Sequence, residues 1–130
     1  MIMNDSPSER VVDQRIRNRI MEAVDTLALG RAGVLDVGAD DYFEHFYDWV
    51  RDGVPENNST MTDQERTGLA NLGRLVNVAC DATRPIHDDE ELIATGWPDR
   101  LAPEAQRVLA LFNERGRFPE DDEQQEPDRR

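Results

Sequence analysis

The chain has 130 residues, a formal net charge of −13 and a pI near 4.4. That length suits one domain, and the acidic excess excludes the overall basic footprint of a nucleic-acid binder. All basic residues are arginine, no apolar run approaches the roughly 20 residues of a membrane span, the start MIMNDSPSER lacks a signal-peptide core, and the lone Cys80 leaves no internal disulfide, so a soluble cytoplasmic protein is expected.

The first helix is expected to open at Ser6, with Pro7 at its first position and Glu9 completing a capping box. Val12, Ile16, Ile20, Ala23 and Leu27 recur at helical spacing, and Gly30 is placed to end the helix. Its outer face carries Arg10, Arg15, Arg17 and Arg19, the one basic surface in the chain. In so acidic a protein these arginines are expected to neutralise the chain's own carboxylates rather than meet phosphate. Residues 31–40, with two glycines and the trio Val34, Leu35 and Val37, read as a connection tucked against the core.

The segment Tyr42 to Val50, YFEHFYDWV, holds five of the eight aromatics. On a helix its apolar residues fill an arc of roughly 160°. The opposite arc takes Glu44, His45, Asp48, Arg51 and Asp52. Asp41 is the expected cap, with Gly53 and Pro55 closing the helix. Residues 54–61 have loop composition, and Thr62 with Glu65 forms a capping box opening a helix to about Asp81. Leu69, Leu72, Leu75, Val76, Ala79 and Cys80 line its apolar stripe, and Gly73 within that stripe suggests a close crossing by the aromatic helix. The run Asp88–Glu91 reads as helix N-terminal chemistry before Leu92 and Ile93. Gly96-Trp97-Pro98 ends that short helix, with Trp97 capping the core from a turn, and a last helix is expected from Pro103 to about Arg115.

The resulting architecture is all-α: a compact bundle of four main helices plus a short fifth in residues 1–118. Residues 119–130 contain no apolar residue and are expected to form a disordered acidic tail. No phosphate-binding loop, dinucleotide fingerprint, nucleophile elbow, HExxH or CxxC pair is present, so no catalytic residue, cofactor or metal site is assigned and an enzyme is not the favoured reading. Cys80 on its apolar stripe reads as a core residue. His45 has Asp41, Asp48 and Asp52 at helical neighbour spacings, an arrangement compatible with acid–base chemistry but more simply a solvated face.

RVVDQRIRNRIMEAV, YFEHFYDWV and TGWPDRLAPEAQRVLALFNERG together resemble a family of small acidic actinobacterial proteins of uncharacterised function. The resemblance spans residues 10 to 118 and rests on aromatic, arginine and tryptophan placement, so no functional residue transfers. It is loosely similar to immunity proteins of bacterial toxins. The function expected is protein–protein interaction, with Glu44, His45, Asp48 and Asp52 meeting a basic partner protein, in its most concrete form as an immunity or antitoxin-like inhibitor. The alternatives are a helical ligand-binding protein with a pocket beneath the aromatic helix, or a homo-oligomer joined through Tyr42, Tyr47 or Trp97. Neither nucleic acid nor membrane is an expected partner.

Overall fold

A computed structural model describes residues 7–50 and 58–124. Six helices and no strand occur among the described residues: α1 (Glu9–Ala28), α2 (Arg31–Val37), α3 (Ala39–Trp49), α4 (Asp63–Ala82), α5 (Asp89–Ala94) and α6 (Trp97–Asn113). The fold is all-α, with one more helix than expected. Residues 31–40 are not a plain connection but contain α2. The last helix begins at Trp97, where left-handed Gly96 is the N-cap and Pro98 occupies a position whose missing N–H is harmless. Pro103 therefore lies inside α6 rather than at its start. No helix of the described residues is long and apolar enough to cross a membrane.

α1 and α6 share the most extensive interface. α4 packs on α6, α3 on α1 and α2, and α5 against α6 and α2. The core between them is built from Ile20, Val24 and Leu27 of α1, Tyr42 and Phe46 of α3, Leu69, Leu72 and Val76 of α4, and Leu101, Val108 and Phe112 of α6. The second half of α1 presents the stripe expected of it. Its first half is rotated: Val11 is buried while Val12 is 39% exposed. The cap is Ser8, whose hydroxyl accepts the Val11 N–H; Ser6 lies outside the described residues.

The rotation turns Gln14, Arg17 and Asn18 inward, and all three have no exposed surface. Arg17, expected on an outer face, is thus the largest fully buried side chain among the described residues. It meets Glu65 through Nη2–Oε2 at 2.8 Å and Nε–Oε1 at 3.3 Å. Arg115 reaches the same carboxylate at 2.7 and 3.3 Å, and its side chain is 2% exposed. Glu65 also closes the expected capping box of α4, accepting the Thr62 N–H at 3.1 Å while Thr62 accepts the Glu65 N–H. Two cations on one anion leave an excess positive charge. Arg17 turns part of it to the α6 C-terminus, donating to Phe112 O at 3.0 Å and Gly116 O at 2.6 Å, where unpaired carbonyls concentrate negative partial charge.

Two further expectations are revised. Asn58, Thr60 and Met61 are buried rather than exposed loop residues. Asn58 donates to Asp13 O at 3.1 Å and the Ser59 hydroxyl to Asp13 Oδ2 at 2.8 Å. Nor is the C-terminal segment free from residue 119 onward. Phe118 is buried, and residues 119–124 run back along α1 in a strap of hydrogen bonds; residues 125–130 lie outside the described residues. Side chains bonding to main chain hold this segment, which is why its lack of apolar residues did not release it.

The tight crossing marked by glycine is not where the sequence suggested. A Cβ on Gly73 would stand 3.9 Å from the Phe46 ring, an ordinary contact beside a groove. Gly68 is closer to its neighbour, with Leu111 Cδ1 of α6 at 2.9 Å from where a Cβ would lie. In α2, a Cβ on Gly33 would collide with the Thr26 carbonyl oxygen of α1.

Two predictions follow from these contacts. Gly73→Ala is expected to be neutral or to stabilise by up to about 1 kcal/mol through helix propensity, whereas Gly33→Ala must displace backbone and is expected to destabilise by about 1–3 kcal/mol. Urea unfolding of both variants checks the pair, and an equally tolerant Gly33 would contradict the packing of α2 on α1. The second concerns Glu65. Burial pushes its carboxyl upward, but hydrogen bonds and charge from Arg17 and Arg115 outweigh burial and hold it below its ordinary 4.5. Its contribution is therefore complete above pH 4.5 and is lost as pH falls through the lower folded-state value. Glu65→Gln is expected to cost about 3–5 kcal/mol at pH 7, and less when both proteins are compared by urea unfolding below the folded-state pKa. A loss that is the same at both pH values would show that the charge of Glu65 is not what holds the arginines.

Candidate functional site

α3 begins at Ala39 without a side-chain cap of its own; Gly38 precedes it, and Asp41 sits in the first turn instead of capping. The cap comes from α5, where Asp89 Oδ1 accepts the Ala39 N–H at 2.7 Å. Asp88 in turn caps α5, accepting the Glu91 N–H at 3.0 Å. The acidic run is thus N-terminal chemistry, as its composition suggests, and it also abuts the start of the aromatic helix.

Tyr42, Phe43 and Phe46 of α3 are buried, and Val50 is buried just beyond its end. The exposed crest of the helix is Asp41, Glu44 and Asp48, spaced one turn apart. His45 and Tyr47 are half-buried on opposite flanks of that crest. Asp52, expected to extend the same face, lies outside the described residues.

A shallow groove runs along each flank. The one towards α1 and α2 measures 360 Å³ and brings His45, Asp48 and Trp49 together with Glu22 and Asp36. Trp49 is 40% exposed there, the most open aromatic side chain of the helix. The other groove, 170 Å³, lies towards α4 and α5 and is lined by Asp40, Phe43, Glu44, Tyr47, Cys80 and His87 among others. The candidate residues therefore divide: Glu44 borders one groove, His45 and Asp48 the other, with the crest between them. His45 forms no hydrogen bond with Asp41 or Asp48. The histidine that does pair with an acid is His87, whose Nδ1 lies 2.7 Å from Asp40 Oδ1. Those two residues are 47 apart in sequence, and nothing local to either announces the pair.

Electrostatics in this region follow burial and neighbouring acids. Tyr47 is pushed up to about 12, first by burial and then by the charges of Cys80, Asp81 and Glu44, and its hydroxyl bonds Asn77 Oδ1. Burial, with Asp81 beside it, also raises the Cys80 thiol above its ordinary range. A thiol held protonated is a poor nucleophile. Among the described residues no group of three His, Cys, Asp or Glu side chains is placed to hold a metal ion. A third groove, between α3 and α4, is lined by Phe46, Val50, Gly73 and Arg74 among others; at 220 Å³ it falls below the roughly 300–1,000 Å³ usual for small-molecule sites.

Most arginines are engaged with partners, although Arg19 lines the groove towards α1 and α2 and Arg84 the one towards α4 and α5. Arg31 pairs with Asp99, Arg84 with Asp81, Arg107 with Glu104, and those of α1 with Glu65 or the C-terminal strap. Among the described residues, Asp36, Asp41, Glu44 and Asp48 have no ion-pair partner. Tyr42, one of the aromatics considered for a subunit contact, is fully buried. No family model matches the chain, and no curated protein or solved structure matches it.

Cys80 tests this electrostatic picture directly. At pH 7.5 it is expected to react with a maleimide or Ellman-type reagent at least about tenfold more slowly than free cysteine, because the reactive thiolate is disfavoured. A rate equal to that of the free thiol would mean that the groove does not raise the pKa.

Proposed function

We propose that the chain is a protein-interaction domain that captures a basic partner protein through the crest of α3. The observation that carries this reading is a set of unpaired carboxylates, Asp36, Asp41, Glu44 and Asp48, beside a partly exposed Trp49, in a protein whose arginines are largely engaged with its own acids and carbonyls. Asp40, Asp88 and Glu91 extend the same sign of charge across the α3–α5 junction. An uncompensated field of this kind accelerates encounter with a basic surface. A tryptophan next to it supplies apolar area and an aromatic face for an arginine or lysine of the partner.

An immunity or antitoxin-like inhibitor of a basic enzyme is the most concrete form of this function. It accords with the small size, the acidity and the loose resemblance carried by the three quoted segments. For the ligand-binding alternative, the α3–α4 groove is small. The 360 Å³ groove beside His45 and Trp49 is shallow and lined mainly by polar and charged side chains, unlike the mostly apolar pockets usual for small molecules.

The test replaces Asp41, Glu44 and Asp48 together with their amides. Exposed carboxylates without partners contribute little to stability, so the unfolding free energy is expected to stay within about 0.5 kcal/mol of the parent. With a partner recovered by affinity capture, the association rate at low ionic strength is expected to fall on the order of tenfold. The difference should shrink as salt is raised. Equal rates at low salt would remove this crest from the binding surface.

A further inference from the structure

The C-terminal segment lies on α1 as a bound peptide lies on its receptor. Asn18 accepts the Phe118 N–H at 3.0 Å and donates to Phe118 O at 2.8 Å. One turn earlier, Gln14 donates to Pro119 O and Asp122 O, each at 2.7 Å, and accepts the Gln124 N–H at 2.8 Å. Arg15 Nε donates to Glu120 O at 2.8 Å, and Arg10 donates to Gln124 O at 2.8 and 3.2 Å. Gln14 and Asn18 are fully buried, and each addresses the main chain of the segment. Such contacts do not depend on which side chains the segment carries.

Side-chain recognition involves three positions: Arg117 Nη1 donates to Glu22 Oε2 of α1 at 3.0 Å, and Phe118 and Glu120 supply the rest. The Phe118 ring lies against the guanidinium groups of Arg17, Arg115 and Arg10 at 4.7, 5.1 and 5.8 Å. The Glu120 carboxylate is met by Asn18, Arg19 and Arg117, and hydrogen bonding from Asn18 is the foremost cause of its lowered pKa. Pro119 between them has no N–H to satisfy. The cradle thus reads an aromatic residue, a proline and an acid in a main chain that bends at residues 120–122 around Gln14. By contrast, the Asp121 side chain is 96% exposed and specifies little.

We propose that this cradle on α1 is a peptide-binding site for acidic segments of the pattern aromatic–Pro–acid that bend around Gln14, and that residues 117–124 are its intramolecular occupant, displaced when a partner protein supplies such a segment. Charge complementarity favours this occupant: Arg10, Arg15 and Arg19 border a site that holds four consecutive acids, Glu120 to Glu123. The geometry also permits release. Gly116 has φ +74° and separates the strap from α6, while Arg17 holds Gly116 O and Phe112 O on the near side of that glycine. Residues 117–124 can leave while the contacts of Arg17 and Arg115 with Glu65 stay in place. A tethered occupant has an effective concentration on the order of millimolar, so the parent chain is expected to bind a free competitor weakly.

The experiment uses a fluorescent peptide with the sequence of residues 117–124, titrated by anisotropy into the full-length parent and into Phe118→Ala, which loses the aromatic anchor of the strap. Saturable binding at least tenfold tighter to Phe118→Ala is expected, weakening at least tenfold when the peptide's phenylalanine is replaced by alanine or its first glutamate by glutamine. A folded Phe118→Ala protein that does not bind the peptide overturns the proposal. Should that variant fail to fold, hydrogen exchange on the parent decides. The Phe118 and Gln124 amides are expected to exchange at least tenfold faster than those of Ile20 and Val24 in α1. Exchange of all four only through global unfolding overturns displacement.

Discussion

Glu65 lies between Arg17 and Arg115 with almost no access to water, and the arrangement of α1, α4 and α6 depends on that contact. Desolvating three charges is expensive, and the attraction between them offsets the penalty only when geometry is good and the remaining donors are satisfied. Both conditions hold. Each arginine approaches the carboxylate through two nitrogens, and spare donors reach Phe112 O, Gly116 O and Thr60 O. An apolar cluster of similar volume would tolerate sliding of one helix on another. The ionic one does not, because a displaced helix leaves a buried charge unpaired. What the cluster supplies above all is register.

The same cluster organises charge across the molecule. Arginines concentrate on α1 and at the end of α6, where they meet Glu65 and the acids of the strap. α3 and the N-terminus of α5 carry carboxylates with few basic neighbours. A net charge of −13 is therefore not spread evenly. Among the described residues, Glu65 and Glu120 are met by arginines, whereas Asp41, Glu44 and Asp48 of α3 have no ion-pair partner.

Elements whose signals are local were readable in the sequence. Thr62 and Glu65 opened α4, Asp88 capped α5, and Gly30 ended α1 as its position suggested. What was hidden depends on partners far away in the chain. Arg17 looks like a surface arginine until Glu65, 48 residues on, and the end of α6 are brought to it. α2 has only seven residues, a glycine among them and one on either side, so intrinsic propensity argues against it, yet Gly33 is what lets it press on α1. The strap offers no hydrophobic pattern because side-chain amides, not apolar area, hold it. Of the candidate site, the phase of the α3 crest was readable. The flanking grooves, the exposed Trp49 and the Asp40–His87 pair required the neighbouring helices.

The cap that Asp89 provides to Ala39 has a consequence for how the acidic surface meets anything else. Two short helices that each carried their own cap would be free to adjust independently, and a partner would have to freeze that freedom on contact. Here one hydrogen bond of 2.7 Å ties the start of α3 to the start of α5, so the carboxylates of both elements are presented in a single prearranged pattern. The ordering entropy has been spent during folding, before any encounter takes place.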